Sequence, residues 1–108
     1  MGLFGIGRKT NRSLSINEAV KAPEDGAVFL DVREAYEFAS GHLHGSVNVP
    51  LSALSSIQTA IPDKNTILYV YCASGMRSSR AAKMLVSMGY ANVKNIGGVN
   101  AYNGPLEK

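Results

Sequence analysis

Tyr69-Val70-Tyr71-Cys72-Ala73-Ser74-Gly75-Met76-Arg77-Ser78 decides how this chain is read. The apolar run from Thr66 to Tyr71 is β-branched and aromatic, the composition of a buried strand. Ser78 to Met88 carries Ala81, Ala82, Leu85 and Met88 on one stripe, with Arg80, Lys83 and Ser87 away from it, which predicts a helix ending at Gly89. Cys72 therefore lies where a buried strand stops and a helix is about to start. The free N–H groups of the turn and the positive end of the helix dipole face into such a loop. Both favour a thiolate over a thiol, and the thiolate is the nucleophile. Arg77 adds a permanent charge and a planar donor fork suited to an oxyanion. The competing reading is a small, inert core cysteine, but a packing cysteine needs neither an anion cradle nor a neighbouring guanidinium.

Outward from this loop, strands and helices alternate. Ser15 with Glu18 three residues on is a capping box, starting a helix through Val20. Ala27 to Leu30 is a short strand closed by Asp31. Glu34 to Ala39 is a helix expected to bury Ala35, Phe38 and Ala39 and to turn Glu34 and Glu37 outward. Ser46 to Val49 is a strand. Leu51, Leu54, Ile57 and Ile61 recur at helical spacing, which predicts one helix from Leu51 to Ala60. Val93 to Ile96 is a last strand, and Gly97-Gly98 leads into a short helix from Val99 to Tyr102. Such alternation gives an α/β fold with a parallel sheet. Charged Asp31 and Arg33 sit at a strand's carboxyl end, the edge where open α/β sheets bind ligands, though a structural ion pair holding the turn accounts for them better. His42 and His44 form His-x-His without a further ligand at metal spacing. His42 is expected to bond backbone and fix its loop, with His44 near the surface and no metal.

Three further stretches share an order and spacing with the cysteine loop: Leu30-Asp31-Val32-Arg33-Glu34 followed by Tyr36-Glu37-Phe38, Gly41 through Pro50, and Gly97-Gly98-Val99-Asn100-Ala101-Tyr102. Together they resemble the rhodanese-like sulfurtransferases over roughly Ser13 to Gly104. Two positions depart from the family pattern: many members have proline at His44 and tryptophan at Tyr102. The resemblance implies a three-layer fold, a central parallel sheet of about five strands flanked by helices. It implies that Cys72 is the catalytic nucleophile and that Ala73, Ser74, Gly75, Met76, Arg77 and Ser78 bind substrate. Asp31, Arg33 and His42 support the loop structurally, and no metal or organic cofactor is needed.

The chemistry expected is covalent transfer in two halves. Cys72 takes the outer sulfur of thiosulfate or a similar anionic donor, then passes it to cyanide or a thiol. Within the loop, the amides of residues 73–78 hold the charge, Arg77 binds the donor and Ser78, as the helix N-cap, orders the loop. Two other readings stand beside it. A sulfur-relay or partner-binding module would hand its persulfide to a protein or use none. A phosphatase or arsenate reductase would carry one more residue between cysteine and arginine than residues 73–76 provide, and Asp31 would be its general acid.

Composition narrows the rest. At 108 residues the chain is long enough to bury a core, and 45% hydrophobic with 18% charged residues excludes a disordered polymer. A net charge of +3 is too mild for a nucleic-acid surface but suits a small anion. The single cysteine forms no internal disulfide and points to a reducing, cytoplasmic setting. No apolar run approaches the ~20 residues of a membrane span. Met1 to Gly7 is apolar and precedes Arg8, Lys9 and Arg12, the reverse of a secretory signal. Ile6 stands where a myristoylation motif needs Ser or Thr. Residues 1–12 are expected to be a flexible tail, and residues 13–108 a single domain that functions as a monomer.

Overall fold

The computed structural model describes residues 14–108, so the expected tail lies outside the described residues. The described elements run α1 (Ile16–Lys21), β1 (Val28–Asp31), α2 (Ala35–Ser40), β2 (Val47–Asn48), a 3-10 turn (Leu51–Ser56), α3 (Ile57–Ala60), β3 (Ile67–Cys72), α4 (Met76–Ser87), β4 (Asn92–Gly98) and a 3-10 turn (Val99–Ala101). Among the described residues the sheet has four strands, not five, in the order β2-β1-β3-β4. All neighbours are parallel, which the helices between consecutive strands require.

β3 is the axis of the molecule because it is covered on both faces. Its even positions, Leu68, Val70 and Cys72, join Leu85 and Ala81 of α4, Ile57 of α3 and Leu54 in one core cluster. Its odd positions, Tyr69 and Tyr71, join Ile16 and Ala19 of α1 with Ile96 in another. The twofold alternation of side chains along a strand makes this division, and it directs Cys72 toward α4. The strand reads as unbroken apolar sequence for the same reason.

Local signals set the ends of the elements. Ser15 and Glu18 form the reciprocal capping box at the start of α1. α4 closes in a Schellman turn: Gly89 has φ +101°, its N–H donates to Val86 O, and Tyr90 N–H donates to Leu85 O. The expected helix over residues 51–60 is broken. Ala53 leaves helical geometry at φ −129°, so a 3-10 segment precedes a short α-helix. The periodicity nonetheless identified the inward positions, since Leu54 and Ile57 are buried.

α2 departs most from its sequence pattern. It has no fully buried residue, and Ala35 and Ala39 are exposed. Phe38 is half-buried and stacks on the His42 ring at 3.7 Å between centroids. Glu37, expected to face solvent, turns inward instead. The contacts that hold α2 are the Glu37 carboxylate on Arg77 and the Phe38 ring on His42.

Candidate active site

The carboxyl ends of β3 and β4 meet above α4, and their register is what shapes the loop. A bulge lies between Val70 and Tyr71: Val70 pairs with Asn95, but Tyr71 pairs with Gly97, leaving Ile96 unmatched. This brings Gly97 and Gly98 beside Tyr71 and Cys72. A Cβ on Gly98 would lie 2.1 Å from Ala73 O, so the loop rests directly on the strand's backbone. Asn100 N–H donates to Ala73 O at 3.0 Å and fixes the loop from above.

Gly75, not Ser78, is the N-cap of α4, with φ +101°, a left-handed conformation that glycine adopts without strain. The helix starts at Met76, so Ser78 lies within the first turn and not at the cap. That shift has a consequence. Gly75 N–H donates to Cys72 Sγ at 3.0 Å and Ser78 N–H donates to it at 3.3 Å. The Ser78 hydroxyl lies 3.5 Å from the same sulfur. Cys72 has no exposed surface and packs in the core cluster, yet its sulfur is the target of two backbone donors. Burial pushes the Cys72 thiol up; the Ser78 hydroxyl and the amides of Ser78, Gly75 and Ser74 outweigh it and hold the thiol below its ordinary value.

Arg77 is placed differently from a free anion binder. Its fork grips both carboxylate oxygens of Glu37, Nη1 to Oε1 at 2.7 Å and Nη2 to Oε2 at 2.9 Å. Glu37 Oε1 also accepts the Glu34 N–H at 2.9 Å. The Arg77 bond holds the Glu37 carboxyl down to about 2, against burial, and Arg77 is raised in turn by the same bond. The pair spans α2 and α4 beside the loop. Met76 and Tyr36 next to it are both 76% exposed.

Beneath the loop, Asp31 and Arg33 form a buried ion pair, Nη2 to Oδ2 at 2.7 Å. Asp31 Oδ1 also accepts the Arg33 N–H and Nε–H, and Arg33 Nη2 donates to Gly41 O at 2.7 Å. Asn48 Nδ2 donates to the carbonyls of Asp31 and Arg33. Every charge and most donors in this buried turn are matched, the condition for keeping an ion pair out of water. His42 Nδ1 donates to Phe38 O at 2.8 Å, and its backbone pairs in both directions with Glu107. His44 is exposed and pairs with the Glu107 carboxylate. Among the described residues no group of His, Cys, Asp and Glu side chains is arranged to hold a metal.

The structure brings Gly75 and Ser78 onto the Cys72 sulfur, turns Arg77 to Glu37 and Met76 to solvent, and sets Asp31, Arg33 and His42 apart from the sulfur. Two residues that hold the loop were named in the sequence but not singled out as site residues: Glu37 and Asn100. Glu37 was hidden because its spacing fits a solvent face, and its partner is 40 residues away. A cleft of about 270 Å³ adjoins the loop on its Ala73–Ser74 side, lined also by Gly98, Asn100 and Ala101.

The family model described as "Rhodanese-like domain" matches residues 15–104. The chain is 40% identical over 72 residues to the thiosulfate sulfurtransferase PspE of Escherichia coli, covering 66% of this chain and 69% of that protein. It is 38% identical over 79 residues to the adenylyltransferase and sulfurtransferase uba4 of Ogataea parapolymorpha, 72% of this chain but 20% of that protein. Among solved structures, a rhodanese with anions from Escherichia coli superposes with a TM-score of 0.70 at 37% identity, covering 76% of this chain and 98% of the other.

Proposed function

Because the chain belongs to the rhodanese-like domain family, we propose that it moves sulfane sulfur from thiosulfate or a similar anionic donor to a thiophilic acceptor through a persulfide on Cys72. The observation that carries this is the convergence of the Gly75 and Ser78 amides on Sγ at 3.0 and 3.3 Å. Those donors stabilise a negative sulfur without any counter-charge in contact with it.

In the first half-reaction the Cys72 thiolate attacks the outer sulfur of thiosulfate. The Sγ–S bond forms, the donor's S–S bond breaks, and its electron pair leaves on sulfite. In the second, cyanide or a thiolate attacks the outer sulfur of the persulfide, and the Cys72 thiolate is released. Charge is conserved at each step, and no metal or organic cofactor takes part. The cradle is narrow: residues 73–76 separate the cysteine from the arginine, and the arginine fork is already filled by Glu37. A tetrahedral oxyanion bound as in a phosphatase would need that fork free, which disfavours phosphate and arsenate chemistry.

A protein acceptor is the second reading. It is favoured by Met76 and Tyr36, apolar and exposed beside the loop, and by a sulfurtransferase relative in which the matched region is only 20% of the whole. Under either reading the chain works as a cytoplasmic monomer, where its one thiol is spared oxidation. Wild-type protein treated with thiosulfate should gain the mass of one sulfur on Cys72 and turn over thiosulfate with cyanide. Cys72→Ser should lose both while keeping its fold. Turnover retained by Cys72→Ser would end the proposal, and hydrolysis of a phosphate ester with no sulfur adduct would favour the phosphatase.

A further inference from the structure

The Ser78 hydroxyl has more acceptors than protons. Its Oγ lies 2.8 Å from Asn95 Oδ1, 3.1 Å from Gly75 O, 3.3 Å from Gly97 O and 3.5 Å from Cys72 Sγ. A serine hydroxyl has a single hydrogen to donate. The orientation of the Asn95 amide follows from its other partner: Gly97 N–H donates to Oδ1 at 2.9 Å, so Oδ1 and not the amide nitrogen faces this cluster. Ser78 Oγ is buried, and Asn95 is half-buried on β4 where the bulge begins. Nothing in the chemistry described so far uses Asn95.

We propose that Asn95 is a positioning residue that competes with the Cys72 sulfur for the Ser78 hydroxyl proton, so that the hydroxyl follows the charge on the sulfur. In the resting thiol, the hydroxyl donates along the shortest path, to Asn95 Oδ1, and the Cys72 S–H points at Ser78 Oγ. When the thiol proton leaves to solvent, the hydroxyl rotates and donates to the anionic sulfur, because a charge-assisted bond is the stronger one. Asn95 Oδ1 keeps its bond from Gly97 N–H and is not left unsatisfied. Sulfur loading moves the negative charge to the outer sulfur, and the hydroxyl returns to Asn95. No covalent bond beyond those of the transfer itself forms or breaks. The asparagine thereby keeps the thiolate from being held too tightly to react.

The inference rests on the sulfur-transfer reading for its meaning but not for its test. The ionisable groups around this cluster are Arg77 from α4 with Glu37 from α2, which neutralise each other, the mutually paired Asp31 and Arg33 at the end of β1, and Glu18 of α1, which lines a cleft with Ser74 and Asn95 and is held by its own capping box. β4 contributes Lys94, which sits with Asn65, Ile67 and Asn92. None of them accepts the Ser78 proton.

The test is the ultraviolet thiolate absorbance of the full chain followed against pH, with Cys72→Ser as blank and circular dichroism as the check on folding. Asn95→Ala should move the titration of Cys72 to lower pH, raising the thiolate fraction on the acid side of the wild-type midpoint by roughly three- to tenfold. Asn95→Ala added to Ser78→Ala should move it no further than Ser78→Ala alone. An unchanged or higher midpoint in a folded Asn95→Ala, or an equal shift in both backgrounds, overturns the proposal. Should Asn95→Ala fail to fold, Asn95→Asp retains the acceptor for Gly97 N–H. It should raise the midpoint more with Ser78 present than without, and an equal rise would leave only the added charge and overturn the proposal. Absence of a wild-type persulfide after thiosulfate would instead sink the sulfur-transfer reading and leave the titration result standing.

Discussion

Arg77 and Glu37 act as a pair, and that changes what each substitution should do. A guanidinium whose fork is filled by a carboxylate presents little net charge to an incoming anion. Arg77→Ala removes the cation and leaves Glu37 unpaired beside the loop, so the donor KM should rise, by roughly tenfold at most given the solvent that reaches this pair. Glu37→Gln frees the fork and should lower the donor KM. Steady-state kinetics over a range of thiosulfate checks both, and a shift in the same direction for the two would separate the pair from donor binding. Glu37 also carries a pH signature. Its carboxyl is depressed from 4.5 to about 2 in the folded chain, so its contribution is complete above about pH 4.5 and is lost as pH falls toward 2. The folding stability of Glu37→Gln, read by denaturant unfolding at each pH, should therefore decline less steeply than that of wild type across that window.

The loop depends on strands more than on its own residues. Gly97-Gly98 reads in the sequence as a turn before a short helix, yet both glycines lie in β4, paired with Tyr71 and Cys72. Their lack of side chains lets Ala73 and Ser74 settle against that strand. Gly98→Ala would set a Cβ within 2.1 Å of Ala73 O, a backbone atom that cannot swing aside. The loop must then lift, and the Gly75 and Ser78 amides lose their aim at Sγ. The expected outcome is loss of most sulfur transfer with the sheet intact, read by activity beside circular dichroism. A fully active Gly98→Ala would show that the loop does not need this close approach. α4 explains why small residues open its inner stripe: Ser78 and Ala81 are buried against β3, which lets the helix start come close to the cysteine.

Around these elements, stability comes from two core layers on either side of β3. Leu68 and Leu85 have no exposed surface and belong to the layer that contains Cys72. Leu85→Ala should cost about 2–5 kcal/mol, read by denaturant unfolding, from lost burial and the cavity left behind. The loss should reach the site as well, because α4 is what carries the cradle's Ser78. A cost below ~1 kcal/mol would mean that the layer collapses around the gap.

Much of this was legible in one dimension. The alternation of apolar runs and helical stripes, the Ser15–Glu18 capping box, the Gly89 stop and the cysteine at a strand end are local signals. Chemistry and spacing within a few residues state them, and the structure keeps α1, β1, β3, α4 and β4 close to the expected places. The fold class and the placing of Cys72 at a strand end before a helix were readable for that reason. The strand count, the break at Ala53, the inward turn of Glu37 and the place of Asn95 were not. The last two depend on partners far apart along the chain: Glu37 meets Arg77 across 40 positions, and Asn95 meets Ser78 across 17. Periodicity reports which side of an element is apolar, not which polar group will come to lie opposite it. Only packing β4 beside β3 with its bulge, and α2 against α4, brought those partners within hydrogen-bond reach.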